Sequence, residues 1–435
     1  MDNWIKEKIG CTAERLSLKD IEEYRLQKLR ATLDHALRHS PFYQKHLQYY
    51  SDNGLKDLAD FKNIPFTTPE DIRDQGLQML CVSQSEIERV VTLDSSGTTG
   101  KPKRLYFTAE DQKLTVDFFM QGMSLLTSPG DKVLILMPGE RPGGIGDLLA
   151  TALERIGAIP VKHGFVTDLK ETLEIISRDR INVLVGVPIQ VLALAKYYEW
   201  TGGAKPLALK KMLLSTDYVP QATVDYIQKV WGCEVFRYYG MTEMGLGGGI
   251  ECSKHNGFHL HVADFFLEVI HPATGEVLPE GEYGEVVLTT LTRKGMPLIR
   301  YRTGDFSRYL PGNCPCQWVT PRLENIKARK SGVVHIAPDC SLTIADLDES
   351  LLPLPRVVDF SATVYSDSGQ TILELEIKSL GKKVGPTAIR DRLFLNKSLQ
   401  WAENKGKLKV IVKEVCYTDD FIPIDRKRVI KILYS

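Results

Sequence analysis

At 435 residues, with 43% apolar and 25% charged side chains, the chain has material for two or three well-packed domains and none of the bias of a disordered protein. Basic and acidic residues balance at 55 each, so no global field favours nucleic acid or an anionic membrane surface. Eight cysteines are too sparse for a disulfide framework. The opening MDNWIKEKIGCTAERL has no signal core and no run is long enough to span a bilayer, so a cytoplasmic protein with reduced thiols is expected.

In chain order, residues 18–48 carry apolar side chains at helical spacing and break at Ser40-Pro41, which predicts a helical hairpin. A strand is expected over VVTLDSS. From 133 to 236 short apolar runs (VLILMP, AIPV, INVLVGV, MLLST, CEVF) alternate with helical stretches such as LKETLEIISRD and PIQVLALAKYYEW. That alternation predicts parallel strands with crossover helices. From 258 the pattern turns to antiparallel strands and tight turns, a β subdomain reaching about 327. Beyond it, DFSATVYSD, QTILELEIKS, a helix over PTAIRDRLFLNKSLQWAEN and KLKVIVKEV predict a compact α+β unit over 328–435.

Three motifs carry chemistry. The first, DSSGTTGKPKRLYFT at 94–108, reads as a loop that wraps an anion. Gly97 and Gly100 permit close backbone approach, Ser95, Ser96, Thr98 and Thr99 offer hydroxyls, and Lys101 adds charge. It is not the GxxxxGK[ST] loop, because two residues separate the glycines and Pro102 follows Lys101. The second, RYYGMTEMGLGGGIEC at 237–252, sets Thr242 and Glu243 on a turn after a strand. A carboxylate beside a phosphate loop calls for a cation, so Glu243 is a candidate magnesium ligand and Thr242 a phosphate donor. Tyr238 or Tyr239 could stack on a base, though paired tyrosines are more often core. The third, PLIRYRTGD at 297–305, delivers Asp305 on a turn, suited to vicinal hydroxyls or simply to a β-turn.

In this order and at these separations the motifs resemble the adenylate-forming superfamily of acyl-CoA ligases, adenylation domains and luciferases, and within it the phenylacetate-CoA ligase family. LRATLDHALRHSPFYQKHL, IPFTTPEDIRD, SSGTTGKPK, YYGMTEMG and GEVVLTTLTRKGMPLIRYRTGD extend the resemblance over nearly the whole chain. It implies an α/β fold: a large domain over 1–327, with parallel sheets, helices and the β subdomain at about 258–327, and a small mobile C-terminal α+β domain over 328–435. It also implies an ATP-dependent carboxylic acid–CoA ligase that makes an acyl-adenylate with magnesium and then transfers the acyl group to coenzyme A, releasing AMP. Aryl or arylacetic acids are the expected substrates. A small-molecule acid, ATP and coenzyme A are the expected partners, with no nucleic acid and no membrane, and a homodimer is an open expectation. The loop 95–101 would hold the β- and γ-phosphates, and Tyr238, Tyr239 and Gly240 would lie along the nucleotide. Asp217 in LLSTDYVP would mark the adenine side, and Asp305 and Arg329 would meet the ribose. Lys427 would close over the α-phosphate.

Three positions depart from the family's pattern. The hinge reads Ala328-Arg329-Lys330-Ser331 where an acidic residue is expected, HIAPDCSL lacks the usual glycine, and Arg426 replaces the glycine before Lys427. Two alternatives follow: an adenylating enzyme that uses another acceptor, and a non-catalytic nucleotide binder. Cys252, His259, Cys314 and Cys316 match a Cys…His…CxC arrangement shared by relatives, which implies a structural zinc, with His261 and His255 as alternative ligands. The acid is expected between the helix after RPGGIGD and the GLGGG loop, whose glycines would make room for it.

Overall fold

The computed structural model describes residues 1–93, 101–203, 206–329, 332–337, 340–418 and 428–433. The chain divides into two compact units, each built from separate segments. One comprises Met1–Leu125, Thr151–Arg155 and Tyr238–Ile326; the other comprises Leu126–Ala150, Ile156–Arg237 and Lys327–Ser435.

In the first unit the helix Leu18–His39 starts at Ser17, whose hydroxyl accepts from Asp20 N while the Asp20 carboxylate accepts from Ser17 N. It buries Ile21, Leu29, Leu33 and Ala36, one stripe at helical spacing. The predicted break falls at Ser40, which caps the next helix, Pro41–His46. Strands Ile87–Leu93 and Lys103–Thr108 pair antiparallel with Leu93 opposite Lys103, so the anion motif connects the two strands of a hairpin. Thr108 then caps the helix Ala109–Met123.

The β subdomain is antiparallel as expected, with Phe265–Ile270, Gly284–Thr290 and Tyr301–Ser307 in succession. Its pivot is Arg300, 1% exposed, whose Nε and Nη2 donate to the two Glu268 oxygens at 3.1 and 3.0 Å. Arg300 Nη1 donates to the carbonyls of Lys62 and Ile64 at 2.6 and 2.7 Å, while Phe66 lies 4.1 Å from the guanidinium. Arg300 adopts φ +46, uncommon for a non-glycine residue. This anchoring ties the IPFTTP segment, through Thr67, to the strand that carries the third motif.

In the second unit five strands lie parallel in the order Ile159–Lys162, Lys132–Ile135, Val183–Gly186, Lys211–Leu214 and the start of Glu234–Tyr239. Each falls on a predicted apolar run. The C-terminal sheet runs Leu408–Tyr417, Gln370–Leu380, Val357–Asp367, Ile430–Leu433, with only the central pair antiparallel. The helix expected over residues 386–404 is two, Pro386–Leu393 and Lys397–Asn404, because Asn396 caps a new helix start. Among the described residues no helix is long and apolar enough to cross a membrane.

Replacing Arg300 with Met strands the buried Glu268 carboxylate and two carbonyls, so stability should fall by about 3–5 kcal/mol. Urea denaturation at neutral pH measures it, and a loss below about 1 kcal/mol would remove Arg300 as the pivot.

Candidate functional site

The second motif leaves the strand Glu234–Tyr239 through a turn with no slack. A Cβ on Gly240 would lie 2.5 Å from Leu246 O, and the Tyr238 hydroxyl donates to that same carbonyl. Thr242–Met244 makes a short 3-10 turn that ends at Gly245, φ +65. The turn buries Glu243, 3% exposed, in the first unit. Such a carboxylate needs a counter-charge. Lys103 supplies it by pairing with Glu243 Oε1. Lys103 Nζ also donates to the Tyr301 hydroxyl at 3.0 Å, which donates to Glu243 Oε1 at 3.3 Å. Burial, with the Glu243 charge beside it, holds the Tyr301 phenol well above its ordinary pKa. Among the described residues Glu243 Oε2 takes no hydrogen bond, which leaves that oxygen for a cation.

A second link joins the same motifs. The Tyr239 hydroxyl donates to Asp305 Oδ2 at 2.9 Å, and Asp305 N donates to Thr303 Oγ1 at 3.0 Å. Tyr239 is buried with its ring 6.0 Å from Phe258, and Tyr238 packs beside Phe118 and Phe119. Thr242 is partly exposed, and Lys101 lies at the surface, 3.8 Å from Asp74. Residues 95–100 and Lys427 lie outside the described residues. Asp217 and Arg329 belong to the second unit: Asp217 Oδ1 accepts from Tyr218 N at 2.8 Å, just after Thr216 at φ +78, and Arg329 is exposed. Lys103 was not named as a site residue from sequence, although it is the second lysine of the GKPK run, two residues after Lys101.

The GLGGG glycines do not open the expected room at their own positions. A Cβ on Gly247 would lie 2.6 Å from Phe118 Cδ1, and one on Gly248 would lie 2.7 Å from Met244 Sδ. The absent side chains let the loop pack against helix Ala109–Met123 and itself.

Past the loop, Cys252, His259, Cys314 and Cys316 bring their ligand atoms within 4.8 Å of one another. Cys252 Sγ is 3.6 Å from Cys314 Sγ, and Cys316 Sγ is 3.3 Å from His259 Nε2. His259 Nδ1 meets Thr320 Oγ1 at 2.9 Å, which aims the ring. Burial lowers the His259 pKa to about 4, so the imidazole is neutral near pH 7, and burial with the neighbouring thiols pushes Cys316 up to about 12. The other two histidines lie elsewhere. His261 is 2.9 Å from Asp264 and stacks on Phe118, while His255 faces Glu251 at 3.3 Å.

A model of the family described as AMP-binding enzyme matches residues 65–291. A phenylacetate-coenzyme A ligase of Thermus thermophilus is 29% identical over 377 residues, 84% of this chain and 82% of the relative. One from Pseudomonas putida is 31% identical over 312 residues, 69% of each chain. A crystal structure of 2-hydroxyisobutyryl-CoA ligase in the postadenylation state, in complex with 2-HIB-AMP, shares the fold: TM-score 0.78 at 20% identity, over 97% of this chain and 90% of that one.

The Lys103→Met substitution should cost about 3–5 kcal/mol by leaving Glu243 buried without its counter-charge. Adding Glu243→Gln should restore part of that loss, because the stranded charge is then gone. Denaturation of the single and double variants reads the coupling; strictly additive losses would mean the two side chains act independently.

Proposed function

Because the chain belongs to the AMP-binding enzyme family, among the phenylacetate-coenzyme A ligases, we propose that it activates an aryl or arylacetic acid beside Glu243. The chain is an ATP-dependent acid–coenzyme A ligase that works through an acyl-adenylate and forms AMP. The observation that carries the site assignment is the polar network Lys103–Glu243–Tyr301 with Tyr239–Asp305, which links all three motifs.

In the first step a substrate carboxylate oxygen bonds to the α-phosphorus of ATP and the bond to pyrophosphate breaks. The nucleophile is already anionic, so the chain must neutralise charge more than remove a proton. Lys101 with residues 95–100 would hold the β- and γ-phosphates, Thr242 would donate to a phosphate oxygen, and Lys427 would meet the α-phosphate. Magnesium on Glu243 Oε2 would supply further positive charge. Asp305 and Arg329 would meet the ribose, while Asp217, Tyr238, Tyr239 and Gly240 would frame the rest of the nucleotide. In the second step the thiol sulfur of coenzyme A bonds to the acyl carbon and AMP leaves. Ser331 and Arg426 at altered family positions favour one second reading, adenylate transfer to another acceptor.

The Cys252, His259, Cys314 and Cys316 donor set fits a tetrahedral zinc, whose bonds of about 2.0–2.3 Å place ligand atoms about 3.5–3.8 Å apart. Four protein ligands leave no open position, so its role would be structural.

Incubation with ATP, magnesium and phenylacetate or other aryl acids should release pyrophosphate, and added coenzyme A should yield AMP and the thioester. ADP as product would exclude the mechanism, and pyrophosphate without thioester would select the alternative acceptor. Protein purified without added metal should contain stoichiometric zinc. Chelation or Cys314→Ser should remove it and lower the melting temperature, because metal held by the folded form is linked to folding. Fully reduced, folded protein without zinc would exclude the site.

A further inference from the structure

Every residue of the helix Pro188–Trp200 from Pro188 to Tyr197 is buried, a pattern that requires apolar partners on all sides. Val191, Ala193, Leu194 and Ala195 join the core that includes Leu134, Leu184 and Met212 of the parallel strands. Val187, Ile189 and Leu192 join a different core with Leu347, Leu351, Phe360 and Leu375 of the C-terminal segment. Lys196 follows Ile189 and Leu192 by seven and four residues, so it shares that second face. Its side chain is 2% exposed, and Nζ donates to Leu352 O at 2.7 Å, Leu354 O at 2.9 Å and Val357 O at 2.5 Å. Leu352 is the C-cap of helix Ile344–Leu351, so the ammonium charge meets a helix C-terminus from outside.

Glu349 makes the reciprocal contact. Its Oε1 accepts from the Tyr218 hydroxyl at 2.9 Å and from Gln221 N at 2.7 Å, and its Oε2 accepts from Ala222 N at 3.1 Å. Gln221 and Ala222 open the helix Gln221–Trp231, so a carboxylate of the C-terminal segment caps a helix of the parallel layer. Tyr218 directly follows Asp217 of the nucleotide-side segment. In the same place Arg428 clamps Asp348 with its two terminal guanidinium nitrogens, and the Asp217 charge acts on that pair. Arg428 is the sequence neighbour of Lys427.

We propose that Lys196 and Glu349 are positioning residues for the adenylating half-reaction, docking the C-terminal segment on the Pro188–Trp200 and Gln221–Trp231 helices in the arrangement that forms the acyl-adenylate. The inference rests on the acid–coenzyme A ligase reading. The docked segment is fastened to the strip that carries Asp217, so its contacts serve the step in which ATP reacts. Neither residue touches a reacting atom.

The test separates the half-reactions in the full chain. Pyrophosphate release is measured with ATP, magnesium and phenylacetate, and thioester formation is measured from synthetic phenylacetyl-adenylate and coenzyme A. Lys196→Met and Glu349→Gln should each lower pyrophosphate release by about tenfold or more, the size expected for a lost charge-assisted hydrogen-bond set, while thioester formation changes by less than about threefold. Equal loss in both half-reactions, or no loss in either, would overturn the proposal. Amide exchange without substrate gives an independent readout: residues 344–357 and 218–222 should lose protection in Lys196→Met, and unchanged protection would also overturn it. Wild-type protein that releases no pyrophosphate with any aryl acid would instead refute the substrate reading, with exchange still reporting on docking. If Lys196→Met does not fold, Glu349→Gln decides, since it keeps one acceptor oxygen and removes the charge.

Discussion

One buried carboxylate sets the terms for the rest of the first unit. Glu243 has almost no contact with solvent, and an isolated charge there would cost several kcal/mol. Lys103 and Tyr301 make it tolerable. Lys103 stands opposite Leu93 in its hairpin, so the strands that deliver the counter-charge also fix both ends of the 94–100 connection. Tyr301 stands next to Arg300, whose four hydrogen bonds hold the third motif in place. A change in any of the three motifs therefore reaches the other two through charge pairing.

The segment after Glu243 is held at both ends. At one end the turn is fixed by the Lys103 pairing and by Gly240 against Leu246 O; at the other, Cys252 enters the Cys–His cluster directly after strand Gly249–Glu251. Between them Gly247 and Gly248 sit where any side chain would collide with Phe118 or Met244. A loop so confined has little freedom to reshape around different acids. Acid selectivity would then lie with side chains beside the loop rather than with the space its glycines leave.

Much of this was legible in the sequence, and the failures have physical causes. Short continuous apolar runs located the parallel strands, which are buried on both faces, and period-3.6 patterning located the helices, which bury one. The break at Ser40-Pro41 was readable because Ser and Pro act locally, through a cap and a fixed φ. The second helix start at Asn396 was missed because apolar spacing continues across it. Pairings distant in sequence left no local signal: Lys103 with Glu243 spans 140 residues, and Lys196 with Val357 spans 161. Lys196 in PIQVLALAKYYEW carries no local mark of burial, because the two cores around it draw on segments distant in sequence. Likewise His261 and His255 stood as alternatives to His259 for the Cys cluster, and it is the His259 ring whose Nε2 lies 3.3 Å from Cys316 Sγ.

With Lys196 and Glu349 as positioning residues for adenylation, the two half-reactions would make unequal demands on the C-terminal segment. Undocking it from Pro188–Trp200 would expose Val187, Ile189 and Leu192, each worth about 1.5–3 kcal/mol when fully buried, and would release the Lys196 ammonium from three carbonyls. Contacts of that size count in a two-state balance, because about 5.5 kcal/mol moves one from 1:99 to 99:1. A ligand can shift such a balance only by its differential affinity for the two states. If the segment rotates for thioester formation, binding of the acyl-adenylate or of coenzyme A must offset the lost core contacts. The family's hinge acid and its glycines are absent at Ser331, in HIAPDCSL and at Arg426. The strength of the docking face would then weigh on the pace of the second step.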